Sequence, residues 1–390
     1  MKKYQLTAMV LSALSAGVLI SCTKPNDDTH TAADNQSDNQ SDNQAADNHQ
    51  VKAKQNPTQS ANNTKPITAI EIDPKTADNY LTQVVNNQIL PAYQNVVKQS
   101  NALNTLATQS CQKNATVSPE DLAALRKQWL KLATAWAQAE VVGFGPAMSS
   151  MSNLYINYYP DERGLVHKGV IDLIQSNPKL TAEQLSSESA IVQGIPGLEE
   201  VLYANDSLSS EQCQYVMSAS QALTQRLEDV LKTWQASPET LLGFGEEENK
   251  TGINRWINSL LALVETTKST SLDQPLGITG HKKGHLPAVA AEKSRDIITA
   301  KVAALNKALT DPQLVAILSE SGNNILADEM STLLSETSTL LSQLPEDLAQ
   351  ATPEQQKQLY EKLTQLTQVI KRKLMPTLGV QVGFNSTDGD

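Results

Sequence analysis

The sequence is poor in aromatic residues, in cysteine and in positive charge. Phenylalanine, tryptophan and tyrosine together make up 4% of its 390 residues. A hydrophobic core must therefore be built from leucine, alanine, valine and isoleucine, and such a composition favours helices. The formal net charge is −11, and no basic run occurs. Because nucleic-acid binders present basic residues to phosphates, this charge balance argues against nucleic acid as a partner.

Long apolar runs are absent beyond the amino end, where residues 1–21 have the pattern of a secretory signal. The positive start Met1-Lys2-Lys3 precedes an apolar segment over residues 8–20. Leu19-Ile20-Ser21-Cys22 resembles the bacterial lipobox, which implies cleavage before Cys22 and lipid attachment to it. The alternative is an ordinary cleaved signal with a chance cysteine. Thr23 follows in place of aspartate, a pattern typical of sorting to the outer membrane. We therefore expect an outer-membrane lipoprotein that faces the periplasm.

Residues 22–66 are almost free of apolar side chains and repeat short polar units such as Asp34-Asn35-Gln36-Ser37. A segment with so little to bury cannot offset the entropy of ordering its chain. The sequence predicts a disordered tether here and a globular part from residue 67 onward.

Two cysteines remain after Cys22, namely Cys111 and Cys213. In the oxidising periplasm a pair of thiols favours a disulfide. Two separately buried thiols are the alternative.

Apolar residues recur at intervals of three and four through most of residues 67–390, which predicts helices. Ser118-Pro119-Glu120-Asp121 combines a cap, an early proline and first-turn acids, and therefore marks a helix start. Pro91 predicts a kink within another helix.

No segment shows the alternating pattern of a strand of useful length, and Val380-Gln381-Val382 comes nearest to it. We expect an all-α fold of two antiparallel bundles, residues 67–236 and 237–390, with the boundary near Ser237-Pro238.

The tripeptide Gly143-Phe144-Gly145 recurs as Gly243-Phe244-Gly245, each time after a helix that contains tryptophan. This repetition suggests that the two bundles are related by duplication.

Several motifs together resemble the imelysin-like proteins over residues 70–390. Five features of that family have counterparts here in the same order: its tryptophan-rich helix, its Ile-x-x-Trp-Pro segment, its signature Gly-x-His-x-x-Glu, its interbundle loop and its carboxyl end. These are Trp129 with Trp136, Glu140 and Gly143-Phe144-Gly145-Pro146; Ile156-Asn157-Tyr158-Tyr159-Pro160-Asp161; Gly194-Ile195-Pro196-Gly197-Leu198-Glu199; Gln274-Pro275-Leu276-Gly277; and Leu378-Gly379-Val380 with Gly383-Phe384-Asn385-Ser386-Thr387-Asp388-Gly389-Asp390.

The resemblance implies a periplasmic or lipid-anchored protein of two helical bundles that is associated with bacterial iron uptake. The family is also classed with metallopeptidases, and its signature His and Glu have been viewed as a possible metal site. Here Pro196 stands at the histidine position. Since a catalytic zinc site needs three protein ligands and proline offers no side-chain donor, zinc peptidase chemistry is not expected.

A carboxylate cluster could still bind iron or another hard cation, such as Ca²⁺ or Mg²⁺, through oxygen. The candidate ligands are Glu199, carried over from the signature, and Glu140, with Glu200 and Asp161 as weaker additions. The alternative for Glu199 and Glu200 is structural: they begin a short helix at Leu198, after a break at Pro196-Gly197, and complement its dipole. Glu140 could equally be a solvated or ion-paired position on its helix.

The histidines provide no strong further candidates for a metal site. His281 and His285 lie in a glycine-rich and basic stretch that is a poor helix, and His167 has no other histidine near it in sequence. No motif for nucleophilic catalysis or nucleotide binding occurs. The predicted function is therefore binding without catalysis, of iron, an iron chelate or an iron-uptake protein of the periplasm or outer membrane. The alternatives are a metallopeptidase and a scaffold or adaptor lipoprotein that has lost its metal site.

Overall fold

The computed structural model describes residues 67–113, 117–245 and 248–383. Within these ranges the chain forms helices and connecting loops without a β-strand, which confirms the predicted all-α fold. The predicted signal peptide, Cys22, the tether and the tail Asp388-Gly389-Asp390 lie outside the described residues. The α-helices are α1 Pro74–Gln83, α2 Leu90–Lys113, α3 Pro119–Ala139, α4 Ser152–Ile156, α5 Leu165–Ser176, α6 Ala182–Ser186, α7 Gly194–Tyr203, α8 Ser210–Ala236, α9 Pro238–Leu242, α10 Asn249–Lys268, α11 Gln274–Leu276, α12 Ser294–Leu309, α13 Pro312–Glu320, α14 Asn324–Gln343, α15 Pro353–Val369 and α16 Met375–Thr377.

Helices α1 and α2 are the two parts of one continuous helix, joined by the π-helical segment Val84–Ile89. Pro91 follows this segment by two residues, where a kink was predicted. Because proline has no N–H and crowds the preceding turn, a widened π turn accommodates it without ending the helix. The π-helical segments Ser269–Asp273 and Ile370–Leu374 precede Pro275 and Pro376 in the same way.

Helix starts follow the local sequence signals closely. The Ser118 side chain accepts a hydrogen bond from the backbone N–H of Asp121 at the start of α3. Thr181 and Gln184 form a capping box at the start of α6. These caps satisfy backbone donors that a helix leaves unpaired, so the positions are fixed by residues next to them in sequence.

Apolar residues keep a helical period over residues 313–344, but the chain forms two helices there. Helix α13 ends at Glu320 and α14 begins at Asn324, with Gly322 in the turn between them. The tail at Val380 forms no strand. Its backbone lies along α10, where Asn254 accepts from Gln381 N–H, and Asn258 donates to the Gln381 carbonyl.

Helix α3 occupies the centre of the part that bears on function. It packs against α2, α7 and α12, while α2 also packs along α8 and α1 packs on α10. Trp129, Trp234 and Trp256 are fully buried in the hydrophobic core. A disulfide joins Cys111 of α2 to Cys213 of α8, with a Cα–Cα distance of 5.4 Å. No helix in the described ranges is long and apolar enough to cross a membrane.

Candidate functional site

A cavity of about 220 Å³ opens between α3, α5, α7, α12 and the loop before α12. Pockets for drug-sized ligands are commonly about 300–1,000 Å³, so this smaller cavity suits a small ligand or one end of a larger one. Its polar walls combine carboxylates, imidazoles, an amide and an amine with aromatic rings. They include Glu140, Asn157, Asp161, His167, Glu199, Glu200, His285 and Lys301, with Trp129, Trp136, Tyr158 and Tyr159.

Helix α7 carries the signature residues to the cavity, and it begins at Gly194. The structural alternative for Glu199 and Glu200, a helix start at Leu198 after a break at Pro196-Gly197, is therefore wrong in its bounds, since Pro196 and Gly197 are helical. Proline is tolerated there because the N–H groups of a first turn have no intrahelical acceptor in any case. Trp129 of α3 donates its indole N–H to the Ile195 carbonyl at 2.9 Å, which fixes this turn against α3.

Glu199 is a buried carboxylate in the cavity wall, 9% exposed. Its Oε1 accepts hydrogen bonds from the backbone N–H groups of Ala290 at 2.8 Å and Ala291 at 3.1 Å. Burial raises the pKa of Glu199 to about 7, against the lowering effect of these two hydrogen bonds. Among the described residues, no donor reaches Oε2, the second oxygen of this carboxylate.

Glu140 caps the end of α3 and is ion-paired. The ammonium of Lys301, on α12, lies 3.0 Å from Glu140 Oε2, and the Asn157 amide lies 3.4 Å from Glu140 Oε1. Lys301 is 5% exposed and lies 3.4 Å from the Ser271 hydroxyl. A lysine this deeply buried needs a charged partner, so the pair holds α3 against α12 beside the cavity.

Glu200 and Asp161 are also occupied by protein partners. Glu200 Oε1 lies 2.6 Å from Nδ1 of His167, on α5. Asp161 is buried, and its two oxygens accept from the backbone N–H groups of Leu165 and Val166 at 2.9 and 2.8 Å. Asp161 therefore caps α5, and a metal could reach its oxygens only by breaking this cap.

The loop over residues 285–293 closes one side of the cavity. Tyr159 anchors its start, because the phenolic hydroxyl lies 3.0 Å from the His285 carbonyl. Ala288 and Glu292 have φ angles of 53° and 56°, which non-glycine residues rarely adopt. The Glu199 carboxylate bonds the backbone between them and thereby stabilises this loop shape. His285 lines the cavity, whereas His281 is exposed on a non-helical segment.

These residues do not form a ready site for a bare metal ion. No group of three or more His, Cys, Asp or Glu within the described ranges is arranged to hold one. Glu140 is bonded to Lys301, Asp161 to the backbone of α5, and Glu200 to His167. A hard cation prefers at least six oxygen ligands, whereas these four acids leave only Oε2 of Glu199 and Oε2 of Glu200 without a partner in the described part of the chain.

A comparison with protein families identifies the chain. The family model described as Imelysin, named for a peptidase family, matches residues 89–372. The chain belongs to the imelysin family. The match includes α3, α5, α7 and α12 and thus every helix that lines the cavity.

Solved structures include relatives of this imelysin-family chain. An imelysin-like protein from Psychrobacter arcticum 273-4 is 58% identical, with a TM-score of 0.80 over 82% of this chain and 100% of that one. An iron-regulated protein A precursor from Parabacteroides distasonis ATCC 8503 is 12% identical, with a TM-score of 0.63 over 77% of this chain and 95% of that one. The second likeness shows the shared fold alone. No curated protein matches the chain.

Within this imelysin-family fold, the cavity brings together Glu140, Glu199, Glu200, Asp161 and Pro196. Gly194 begins the helix that carries three of them. Their protein partners are Lys301, Asn157, His167 and the backbone of Ala290 and Ala291, which the motifs do not indicate. Only Lys301 left a signal, since it falls on the buried face of α12 between apolar residues. A charge on such a face indicates a buried partner.

Proposed function

We propose that this imelysin-family protein is a lipid-anchored, periplasm-facing binding protein that assists iron acquisition. In this proposal it holds a small iron compound in the cavity and does not transform it. The observation that carries the proposal is Glu199: a buried carboxylate on the signature helix lines a preformed cavity, and its Oε2 has no partner among the described residues. A buried acid with a displaced pKa in a concave site is characteristic of ligand binding.

Two further observations support the iron connection. The family resemblance implies iron uptake, and the structural relative from Parabacteroides distasonis is named as an iron-regulated protein. The ligand we propose is a chelate rather than a bare ion, because Glu140, Glu200 and Asp161 already have partners in the protein. A chelate brings its own metal ligands and needs only hydrogen bonds and shape from the cavity.

Titration calorimetry with ferric chelates tests the binding proposal. The probes are ferric citrate and a ferric trihydroxamate that ends in a primary amine, each compared with its metal-free chelator. We expect at least one ferric chelate to bind once per chain, and Glu199→Gln to weaken binding about tenfold or more, since it removes a charged acceptor.

Glu320→Gln is the matched control, because Glu320 is exposed at the end of α13, away from the cavity. It should bind like the unmodified protein. Failure of both ferric probes to bind would contradict the iron proposal and favour a scaffold.

The metallopeptidase alternative makes a different prediction. It requires zinc near one equivalent in protein purified without chelators, and proteolysis that stops when the zinc is removed. Pro196 supplies no ligand, so we expect neither. Elemental analysis and a casein-cleavage assay, each with and without a chelator, decide between the two functions.

The lipid anchor is tested by metabolic labelling with a radioactive fatty acid. We expect label in the full chain and none in Cys22→Ala, because Cys22 is the predicted attachment residue. The matched control is Ser21→Ala, which keeps the cysteine and should keep the label. Equal labelling of Cys22→Ala would contradict the anchor at this residue.

A further inference from the structure

The negative charge of Glu199 has no positive partner among the described residues. The basic groups of the cavity wall have other partners: Lys301 pairs with Glu140 at 3.0 Å, His167 contacts Glu200 at 2.6 Å, and Nδ1 of His285 lies 2.9 Å from the Leu286 carbonyl oxygen. Within the described ranges, two backbone N–H groups on Oε1 are the only hydrogen-bond donors to Glu199. A buried carboxylate left in this state favours a ligand that brings positive charge.

Aromatic rings form much of the remaining wall. Trp129 and Tyr159 have their polar atoms occupied, since the indole N–H donates to Ile195 and the phenol lies 3.1 Å from the Thr270 carbonyl. What these two side chains offer the cavity is therefore ring surface. Trp136 and Tyr158 add further aromatic surface. Aromatic faces attract organic cations through their quadrupoles, most strongly where water is excluded.

An organic cation fits these walls better than a metal ion does. A protonated amine is satisfied by one carboxylate and neighbouring rings or carbonyl groups, whereas a metal ion needs several ligands at fixed distances. The described residues contain no cluster of three metal-binding side chains. The cavity volume, about 220 Å³, limits the group that enters to a small amine or the amine-bearing end of a larger molecule.

We infer that the ligand carries a protonated amine, which enters the cavity and pairs with Oε2 of Glu199 against the aromatic rings. This inference rests on the proposed role of the cavity as the binding site, and it names the chemical class that the site selects. In an iron chelate the amine would lie on the chelator, remote from the metal, so that the metal itself need not enter the cavity.

A series of three probes of similar size and different charge tests the inference: n-butylamine, n-butanol and butyrate. Calorimetry and the tryptophan fluorescence of the protein at pH 8 report binding, since two of its four tryptophans, Trp129 and Trp136, line the cavity. We expect saturable binding of butylamine only, with about tenfold or greater loss in Glu199→Gln and no change in Glu320→Gln. Because the comparison among the three probes uses the unmodified protein, it tests the selection of a protonated amine even if the variant fails to fold.

The outcomes separate this inference from the proposed function. Binding of butanol as tight as that of butylamine would show that the cavity selects the alkyl chain, and the inference would be overturned. Binding of butylamine without any ferric chelate would uphold the inference and refute the iron role. Binding of a ferric chelate that Glu199→Gln abolishes, without binding of butylamine, would uphold the iron role and refute the inference.

Discussion

Glu199→Gln is expected to be more stable than the unmodified protein at pH 8. From pH 4 to pH 8, its free energy of unfolding should rise by about 3 kcal/mol relative to that of the unmodified protein. Burial raises the pKa of Glu199 from 4.5 to about 7. Between these values the folded chain keeps a proton that the unfolded chain releases, so the free energy of unfolding falls as pH rises. Glutamine carries no charge at any pH, and its carbonyl oxygen can still accept from Ala290 and Ala291. Urea unfolding of both proteins from pH 4 to pH 8 measures the effect.

Other titratable groups near Glu199 are common to both proteins, so their own titration largely cancels in the difference. Those that face the cavity or interact with the Glu199 charge are Glu140, Tyr158, Tyr159, Asp161, His167, Glu200, Tyr203, His285 and Lys301. Glu200→Gln is the matched control, because Glu200 adjoins Glu199 but contacts His167. We expect no comparable gain for Glu200→Gln at pH 8. A stability difference between Glu199→Gln and the unmodified protein that is constant from pH 4 to pH 8 would refute the raised pKa.

The same variant is expected to bind butylamine and ferric chelates more weakly, so stability and binding should change in opposite directions. This opposition is a physical signature of a binding site, where a group that costs folding energy is retained for its interaction with a ligand. A residue with a purely structural role would lose stability when replaced. Measuring both quantities on one variant therefore separates the two roles of Glu199.

Local features of the fold were predictable, because their causes lie within a few residues. Ser118 caps α3, and Thr181 with Gln184 caps α6, as their spacing indicates. The break between α13 and α14 was not predictable in this way, because apolar residues keep a helical period on both sides of the turn at Gly322. Periodicity alone does not distinguish one helix from two that follow each other on the same side of the core.

The site was predictable in its acids and not in their partners. Glu140 and Glu199 follow from the family motifs, but their state depends on groups far away in sequence. Lys301 is 161 positions after Glu140 by the residue numbers, and it converts that acid from a candidate metal ligand into half of an ion pair. The donors to Glu199 are backbone N–H groups of Ala290 and Ala291, which every residue except proline possesses. Only the three-dimensional structure selects them.

Gly194→Ala is expected to cost roughly 3 to 5 kcal/mol of stability. A Cβ atom at this position would lie 2.3 Å from the Ile156 carbonyl oxygen and 2.6 Å from that of Tyr155. Both are backbone atoms, so neither can turn away as a flexible side chain would. The φ angle of 69° adds a strain that glycine does not feel. Chemical unfolding of the variant measures the loss.

Gly164→Ala is the matched control, because it isolates the strain of the backbone from the clash. Gly164 has a φ angle of 64°, and a Cβ there meets nothing within 4 Å. Its replacement should cost only about 1 kcal/mol, the ordinary cost of a left-handed alanine. Equal losses in the two variants would refute the clash at Gly194. A larger loss at Gly194 would show that the first signature residue is required for the close approach of α7 to the carboxyl end of α4, the contact that positions Glu199 at the cavity.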